Sequence, residues 1–151
     1  PFKFLDGFWG NFGVLANYTK VDSQIKYALT SSGGQIVTST TNDLVNLSPD
    51  AWNATLYYET EGFSTRVSGS YRDDYLQRVP GQNNNDVEGK RSTFNLDFSM
   101  TWNLSKKLAL TLEGINLTDE FNSQFVDSVG DRTSVYHHTG RQFYAGFRYQ
   151  F

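Results

Sequence analysis

Hydrophobic and polar residues alternate along six stretches of the chain, at 8–21, 51–60, 63–76, 91–104, 107–119 and 141–151. A period of two puts successive side chains on opposite faces, so each stretch predicts a β-strand with one apolar and one polar side. In the last stretch Phe143, Ala145, Phe147, Tyr149 and Phe151 share one face, against Gln142, Tyr144, Gly146, Arg148 and Gln150. Trp52, Ala54, Leu56 and Tyr58 oppose Asn53, Thr55, Tyr57 and Glu59 in the same manner. Phe63, Thr65, Val67, Gly69 and Tyr71 oppose Ser64, Arg66, Ser68, Ser70 and Arg72, and Phe94, Leu96, Phe98, Met100 and Trp102 oppose Asn95, Asp97, Ser99 and Thr101. Two stretches are less regular. Leu15 interrupts the polar row of the first, and the fifth loses phase beyond Gly114, where a bulge is expected.

The connections alternate too. Tight turns at 61–62 and 105–107 make hairpin neighbours of the strands they join, whereas the segments 22–50, 77–90 and 120–140 are long and polar. All long loops therefore lie at one end of the sheet and all short turns at the other, the layout of outer-membrane barrels.

An antiparallel sheet in water also alternates, but its outer face carries lysine freely. The six lysines here (Lys3, Lys20, Lys26, Lys90, Lys106 and Lys107) all avoid the middles of the predicted strands. The mid-strand polar positions are Ser, Asn, Thr and Gly with Glu59, Asp97 and Glu113, which are expected to pair with Arg66, Arg72 and Arg148 in a hydrated interior. The apolar face is zoned. Tyr18, Trp52, Tyr71 and Phe143 lie towards the long loops, Trp9, Phe63, Trp102, Tyr149 and Phe151 towards the short turns, and aliphatic residues with Phe between them. Of these, Trp9, Tyr18, Trp52, Tyr71, Trp102 and Phe143 are expected at the two membrane–water interfaces, where aromatic rings concentrate. A strand of ~10 residues rising ~3.3 Å each and tilted by ~40° spans ~25 Å, the height of the apolar band of such a barrel. A content of 38% hydrophobic but 16% aromatic residues fits this better than an aliphatic core. The fold class expected is all-β, an antiparallel transmembrane β-barrel segment filling 1–151.

Other classes lose ground. A net charge of −3 offers no basic footprint for nucleic acid, and the chain has no cysteine for disulfides or thiolate metal sites. No apolar run reaches the ~18 residues of a transmembrane helix. His137 and His138 are adjacent and face opposite ways on an extended segment, so no shared metal is expected, only a role in orienting the loop before the last strand. No nucleophile elbow or phosphate-binding glycine loop occurs, and neither catalytic residues nor cofactors are expected.

Four segments, "GVLANYTKVDS" (13–23), "VNLSPDAWNATLYYETEGFSTRVSGSYRDDYL" (45–76), "LTLEGINLTDE" (110–120) and "YHHTGRQFYAGFRYQF" (136–151), are similar to the end of TonB-dependent outer-membrane receptors, in the branch common among Xanthomonas and Caulobacter relatives. Tyr144, Gly146, Tyr149 and Phe151 resemble the C-terminal signal read by the barrel-assembly machinery. The resemblance implies a barrel of about 22 strands with a plugged lumen, of which this chain supplies six. Nothing here matches the plug domain or the segment that touches TonB, and the start at Pro1 suggests a piece of a longer, processed polypeptide. Implied partners are the remaining strands and plug, TonB through an absent upstream segment, the barrel-assembly machinery, lipid and lipopolysaccharide, and a nutrient. The implied function is active uptake across the bacterial outer membrane, with an oligosaccharide expected ahead of a ferric siderophore. Ligand contacts are expected in the long loops, from Tyr27, Tyr75, Asn83, Asn84, Asn85, Phe125, Asp127, Arg132 and Tyr136, where aromatics sit near amides and carboxylates. A passive porin and a soluble carbohydrate-binding β-sandwich are the alternatives.

Overall fold

The computed structural model describes residues 7–32 and 35–151; Lys3 and the segment around Pro1 lie outside them. A short 3-10 helix, Gly7–Asn11, leads into twelve strands: β1 (Phe12–Lys20), β2 (Ile25–Ser32), β3 (Gln35–Asn42), β4 (Asp50–Glu59), β5 (Phe63–Arg72), β6 (Tyr75–Arg78), β7 (Glu88–Lys90), β8 (Thr93–Asn103), β9 (Leu108–Ile115), β10 (Phe121–Val126), β11 (Arg132–His138) and β12 (Gln142–Tyr149). Among the described residues there is no α-helix, and every paired strand is antiparallel.

The six alternating stretches form one sheet in the order β1-β4-β5-β8-β9-β12, each strand beside its neighbours in that sequence. Both short turns are closed by side chains as well as backbone. Thr60 N–H donates to Phe63 O at 2.8 Å, and Ser105 Oγ accepts from Leu108 N–H at 3.1 Å. β1 and β12 are the two edges and do not pair with each other, so the sheet is open.

Register carries the apolar positions into continuous rows across the strands. Val14, Leu56, Val67 and Phe98 form one row, and Phe12, Tyr58, Thr65, Met100, Leu112 and Ala145 the next. Towards the long connections the row is Tyr18–Trp52–Tyr71–Phe94, with Trp52 stacked on Tyr71 at 6.0 Å. Towards the short turns Phe63 faces Trp102, and Phe8, Trp9, Phe12 and Tyr58 cluster edge-on and tilted at 4.8–5.8 Å. Apart from the 3-10 helix at its short-turn edge, no described element covers this face: Phe147 is 77% exposed and Val14 52%. Among the described residues buried apolar side chains are scarce, namely Val87, Ala109 and Phe125. A contiguous exposed apolar face marks a surface for lipid or for another protein.

Several expected boundaries move. The stretch 63–76 breaks at Asp73–Asp74, and its end, β6, leaves the sheet. The first stretch begins as a 3-10 helix, so Trp9 projects from that helix and not from a strand. No bulge follows Gly114. β9 ends at Ile115, and Asn116 turns the chain with a left-handed φ of 55°.

The long connections, expected as loops, are themselves built of strands. β2 and β3 form a hairpin, while β6, β7, β10 and β11 assemble a second sheet in the order β11-β10-β7-β6. Two connections far apart in sequence are thereby joined along Gln124–Lys90, Phe125–Gly89 and Val126–Glu88. Gly89 makes this approach possible, because a Cβ there would strike the Phe125 ring and lie 2.9 Å from Tyr75 O. The Arg91 guanidinium covers the same ring at 4.6 Å. Gly89→Ala is expected to cost this upper sheet about 1–3 kcal/mol through overpacking. Hydrogen exchange should quicken in β7 and β10 and stay unchanged in β4 and β5; uniform exchange would show that the two sheets open together.

Candidate functional site

The polar side of the main sheet is an open wall of hydroxyls, amides and scattered charges. One row runs Gly13–Tyr57–Arg66–Ser99–Glu113–Tyr144 and the next Leu15–Thr55–Ser68–Asp97. Hydrogen bonds link some neighbours, as Asn53 Nδ2 to Asn17 Oδ1 at 3.1 Å and Thr55 Oγ1 with Ser68 Oγ at 3.0 Å. The Tyr57 ring lies over Gly13, where a Cβ would collide with it, an aromatic covering a bare glycine on an edge strand.

The expected pairing of Glu59, Asp97 and Glu113 with Arg66, Arg72 and Arg148 does not occur. The three ion pairs among the described residues, Arg78–Glu88 at 4.0 Å, Arg91–Asp131 at 2.5 Å and Arg132–Asp127 at 3.1 Å, all lie in the connections, as does the His138–Asp119 contact at 2.9 Å. Register is the reason. Ser99 separates Arg66 from Glu113 by two strand spacings of ~4.8 Å each, Arg148 faces Ala109, and Glu59 faces Ser64. Arg72 turns instead to the connection before β4, donating to Ser48 Oγ at 2.6 Å and Asn46 O at 3.1 Å.

At the long-connection end, residues 116–120 and 137–141 interlock. Leu117 N–H donates to Leu96 O at 2.8 Å, Asn116 N–H to Asp97 Oδ1 at 2.9 Å and Thr118 Oγ1–H to Phe94 O at 2.7 Å, so the chain continues along β8 after β9 has ended. Asn116 Nδ2 donates to Gly140 O at 3.2 Å and to Glu120 O at 3.4 Å, while its Oδ1 accepts from Glu120 N–H at 2.8 Å. Arg141 Nε donates to Leu117 O at 3.0 Å, and His138 Nε2 meets Asp119 Oδ1 while its ring stacks on Phe121 at 4.1 Å. His138 is thus held in the clasp that positions the approach to β12, as its place in the sequence suggested.

The nine loop residues singled out from the sequence do not form one site. Asn85, Asp127 and Arg132 come together, with Arg132 Nη2 at 3.2 Å from Asn85 Oδ1 and 3.1 Å from Asp127 Oδ2. Phe125 is buried against Gly89, and with Tyr75 it lines a cavity of about 400 Å³ beside Asn42, Asp43 and Asp74. Tyr27 is held by its hydroxyl, which donates to Asp43 O and accepts from Val45 N–H, both at 3.0 Å. Tyr75 lies under the Arg72 guanidinium at 3.9 Å. Asn83 and Asn84 are exposed turn residues with φ of 52° and 64°, and Tyr136 is 64% exposed and stacked on Phe121 at 5.0 Å.

The Asn85–Asp127–Arg132 tip is largely self-satisfied. Ser128 donates to Asp86 through both its hydroxyl and its backbone N–H, and holds that carboxyl below the usual range. Gly130 and Val129 N–H groups, each at 3.1 Å, do the same for Asp127. Because both folded-state values are depressed, this contribution is complete above the ordinary aspartate range and disappears as pH falls through the folded values. Pepsin cleavage between Phe125 and Asp131, taken relative to an unfolded reference peptide at each pH, should therefore rise with acidification, and Asp86→Asn with Asp127→Asn should flatten that ratio; a ratio independent of pH would refute it.

A cavity of about 400 Å³ opens between the two sheets. Its wall on the main sheet is Thr93, Asn95, Ile115 and Gln142, and its wall on the upper sheet is Asn122, His137 and Lys90, with Asn116, Glu120 and Phe121 at the margin. Pairing places Asn122 opposite His137, and Lys90 opposite Gln124 on the same side of the upper sheet. Sequence reasoning missed this set. Asn95 and Gln142 lay on the polar face already, but Asn122 and His137 join them only once β10 and β11 are recognised as strands. Among the described residues no three His, Asp or Glu side chains converge as a metal-binding group.

In β12, Tyr144 and Gly146 sit on the polar face and Tyr149 on the apolar one. Tyr144 O–H donates to Gln142 Oε1 at 2.6 Å, and the Phe151 ring meets Tyr149 edge-on at 5.3 Å. Phe143 covers Gly114. Comparisons of the chain with protein-family models, with curated proteins and with solved structures gave no match.

Proposed function

We propose that the chain is part of the wall of a TonB-dependent receptor in the bacterial outer membrane, taking up a scarce nutrient, an oligosaccharide ahead of a ferric siderophore. The observation that carries this reading is the sidedness of the six-stranded sheet. One face is bare, apolar and edged by aromatics at both ends; the other is hydroxyl- and amide-rich. Lipid is the environment that satisfies the first, and a hydrated interior the second. The open edges of β1 and β12 point the same way. Each would leave several backbone N–H and C=O groups in hydrocarbon, at several kcal/mol apiece, unless further strands close the barrel. The alternation of short turns with long, folded connections supports an orientation with the latter outside the cell, where they would screen ligands. Tyr144, Gly146, Tyr149 and Phe151 would be read by the barrel-assembly machinery.

The full-length protein should fractionate with the outer membrane, need detergent for extraction, and migrate faster on gels when unheated. Loss of its gene, or of TonB, should abolish uptake of a labelled oligosaccharide. Uptake that persists without TonB would favour a passive pore, and iron-responsive growth with ferric siderophore binding would favour the siderophore.

A further inference from the structure

We infer that the cavity between the two sheets, lined by Asn95, Asn122, His137, Gln142 and Lys90, binds an uncharged polyhydroxylated ligand of oligosaccharide class. This deepens the transport reading, and it rests on that reading for the source of its ligand. Three observations carry it. First, the lining polar groups are unspent. Among the described residues the side chains of Lys90, Asn95, Asn122 and His137 make no hydrogen bond within the chain, and Gln142 only accepts one from Tyr144. The Asn85–Asp127–Arg132 tip differs, since its donors and acceptors already satisfy one another.

Second, the charge is balanced. Lys90 stands with Glu120 at the margin, so the cavity lacks the cationic excess that a phosphate or a polycarboxylate requires. Third, the chemistry matches hydroxyl pairs. Each amide presents a donor beside an acceptor, so Asn95, Asn122 and Gln142 can each take and give a hydrogen bond, and His137 adds a ring N–H donor. Ile115 and Phe121 supply apolar surface for the C–H side of a sugar ring. About 400 Å³ falls within the range of small-molecule sites.

The test is calorimetry on the purified full-length protein in detergent, titrated with maltotriose, xylotriose and sucrose, and with inorganic phosphate and citrate as anionic probes. At least one saccharide should bind, and neither anion should bind more tightly than it. Asn95→Ala combined with His137→Ala should weaken saccharide binding tenfold or more, as should Gln142→Ala with Asn122→Ala, each variant checked for the same gel mobility as the wild type. Lys106→Gln, at a short turn of the opposite end, should change nothing. Binding of no saccharide, tighter binding of an anion, or wild-type affinity in both double variants overturns the inference. Location and uptake are read separately. A receptor that moves its nutrient while these variants bind normally keeps the transport reading and loses this one. A protein absent from the outer membrane does the reverse if the titrations succeed.

Discussion

Val67→Arg is expected to destabilise the fold in lipid by about 2–4 kcal/mol, the penalty for a cation at mid-depth on the face proposed to meet lipid. Val67 lies between Leu56 and Phe98 in the middle row of the apolar face, on a strand paired on both sides. Leu108→Arg, on the same face but in the row next to the short turns, should cost no more than about 1 kcal/mol, because the arginine head reaches the interface. Thr101→Arg, facing Ser64 and Thr111 on the polar side, should cost as little. Urea titration of the full-length protein in phospholipid vesicles, followed by tryptophan fluorescence, measures all three. The depth dependence is the discriminating part. In a soluble sandwich the apolar face would be a dry core, and a charge would be penalised along the whole strand. Equal losses at Val67 and Leu108, or a loss at Thr101 as large as at Val67, would overturn the lipid-facing assignment.

The main sheet was legible because its two faces meet different surroundings. Phe94 to Trp102 alternates without error over β8, and any environment that separates the faces enforces that period. What periodicity cannot express is register. The acids and arginines of the polar face were correctly placed on it, yet Arg66 and Glu113 fall on either side of Ser99 and do not pair. The upper sheet was illegible for another reason. β7 is three residues long and its partner β10 is more than thirty residues away, so neither shows a period by itself. Their pairing rests on single residues, such as Gly89 admitting the Phe125 ring. The breaks at Asp73–Asp74 and Asn116 have the same origin. Local sequence there permits a strand, and contacts with other elements decide otherwise, Asn116 N–H being claimed by Asp97. The candidate site followed the fold: its main-sheet half could be read from polarity, while Asn122 and His137 waited on the upper sheet.

Asn116→Ala is expected to release that upper sheet. The substitution removes four side-chain hydrogen bonds, two to carbonyls, one from Glu120 N–H and one, at 3.5 Å, from Thr118 Oγ1–H, each contributing about 0.5–1.5 kcal/mol. It also forces alanine into a left-handed φ of 55°, which costs about 1–2 kcal/mol more than in a right-handed one. A combined loss of about 3 kcal/mol, the low end of these terms, should accelerate hydrogen exchange in β10 and β11 roughly 150-fold or more. Exchange in the β4–β5 ladder should stay as it was. Two further variants separate the causes. Asn116→Gly keeps the backbone relaxed but loses the side chain, and should recover only part of the protection. Asn116→Asp keeps the acceptor for Glu120 N–H and loses both donors to Gly140 and Glu120 carbonyls. If Asn116→Gly were as protected as the wild type, the clasp would be a matter of backbone conformation alone; if Asn116→Ala were, there would be no clasp. The effect reaches the cavity, because Asn122 and His137 follow directly from the two interlocked segments. The Asn116→Ala protein should therefore keep its six-stranded wall intact and, on the transport proposal, still enter the membrane while binding the proposed ligand less well.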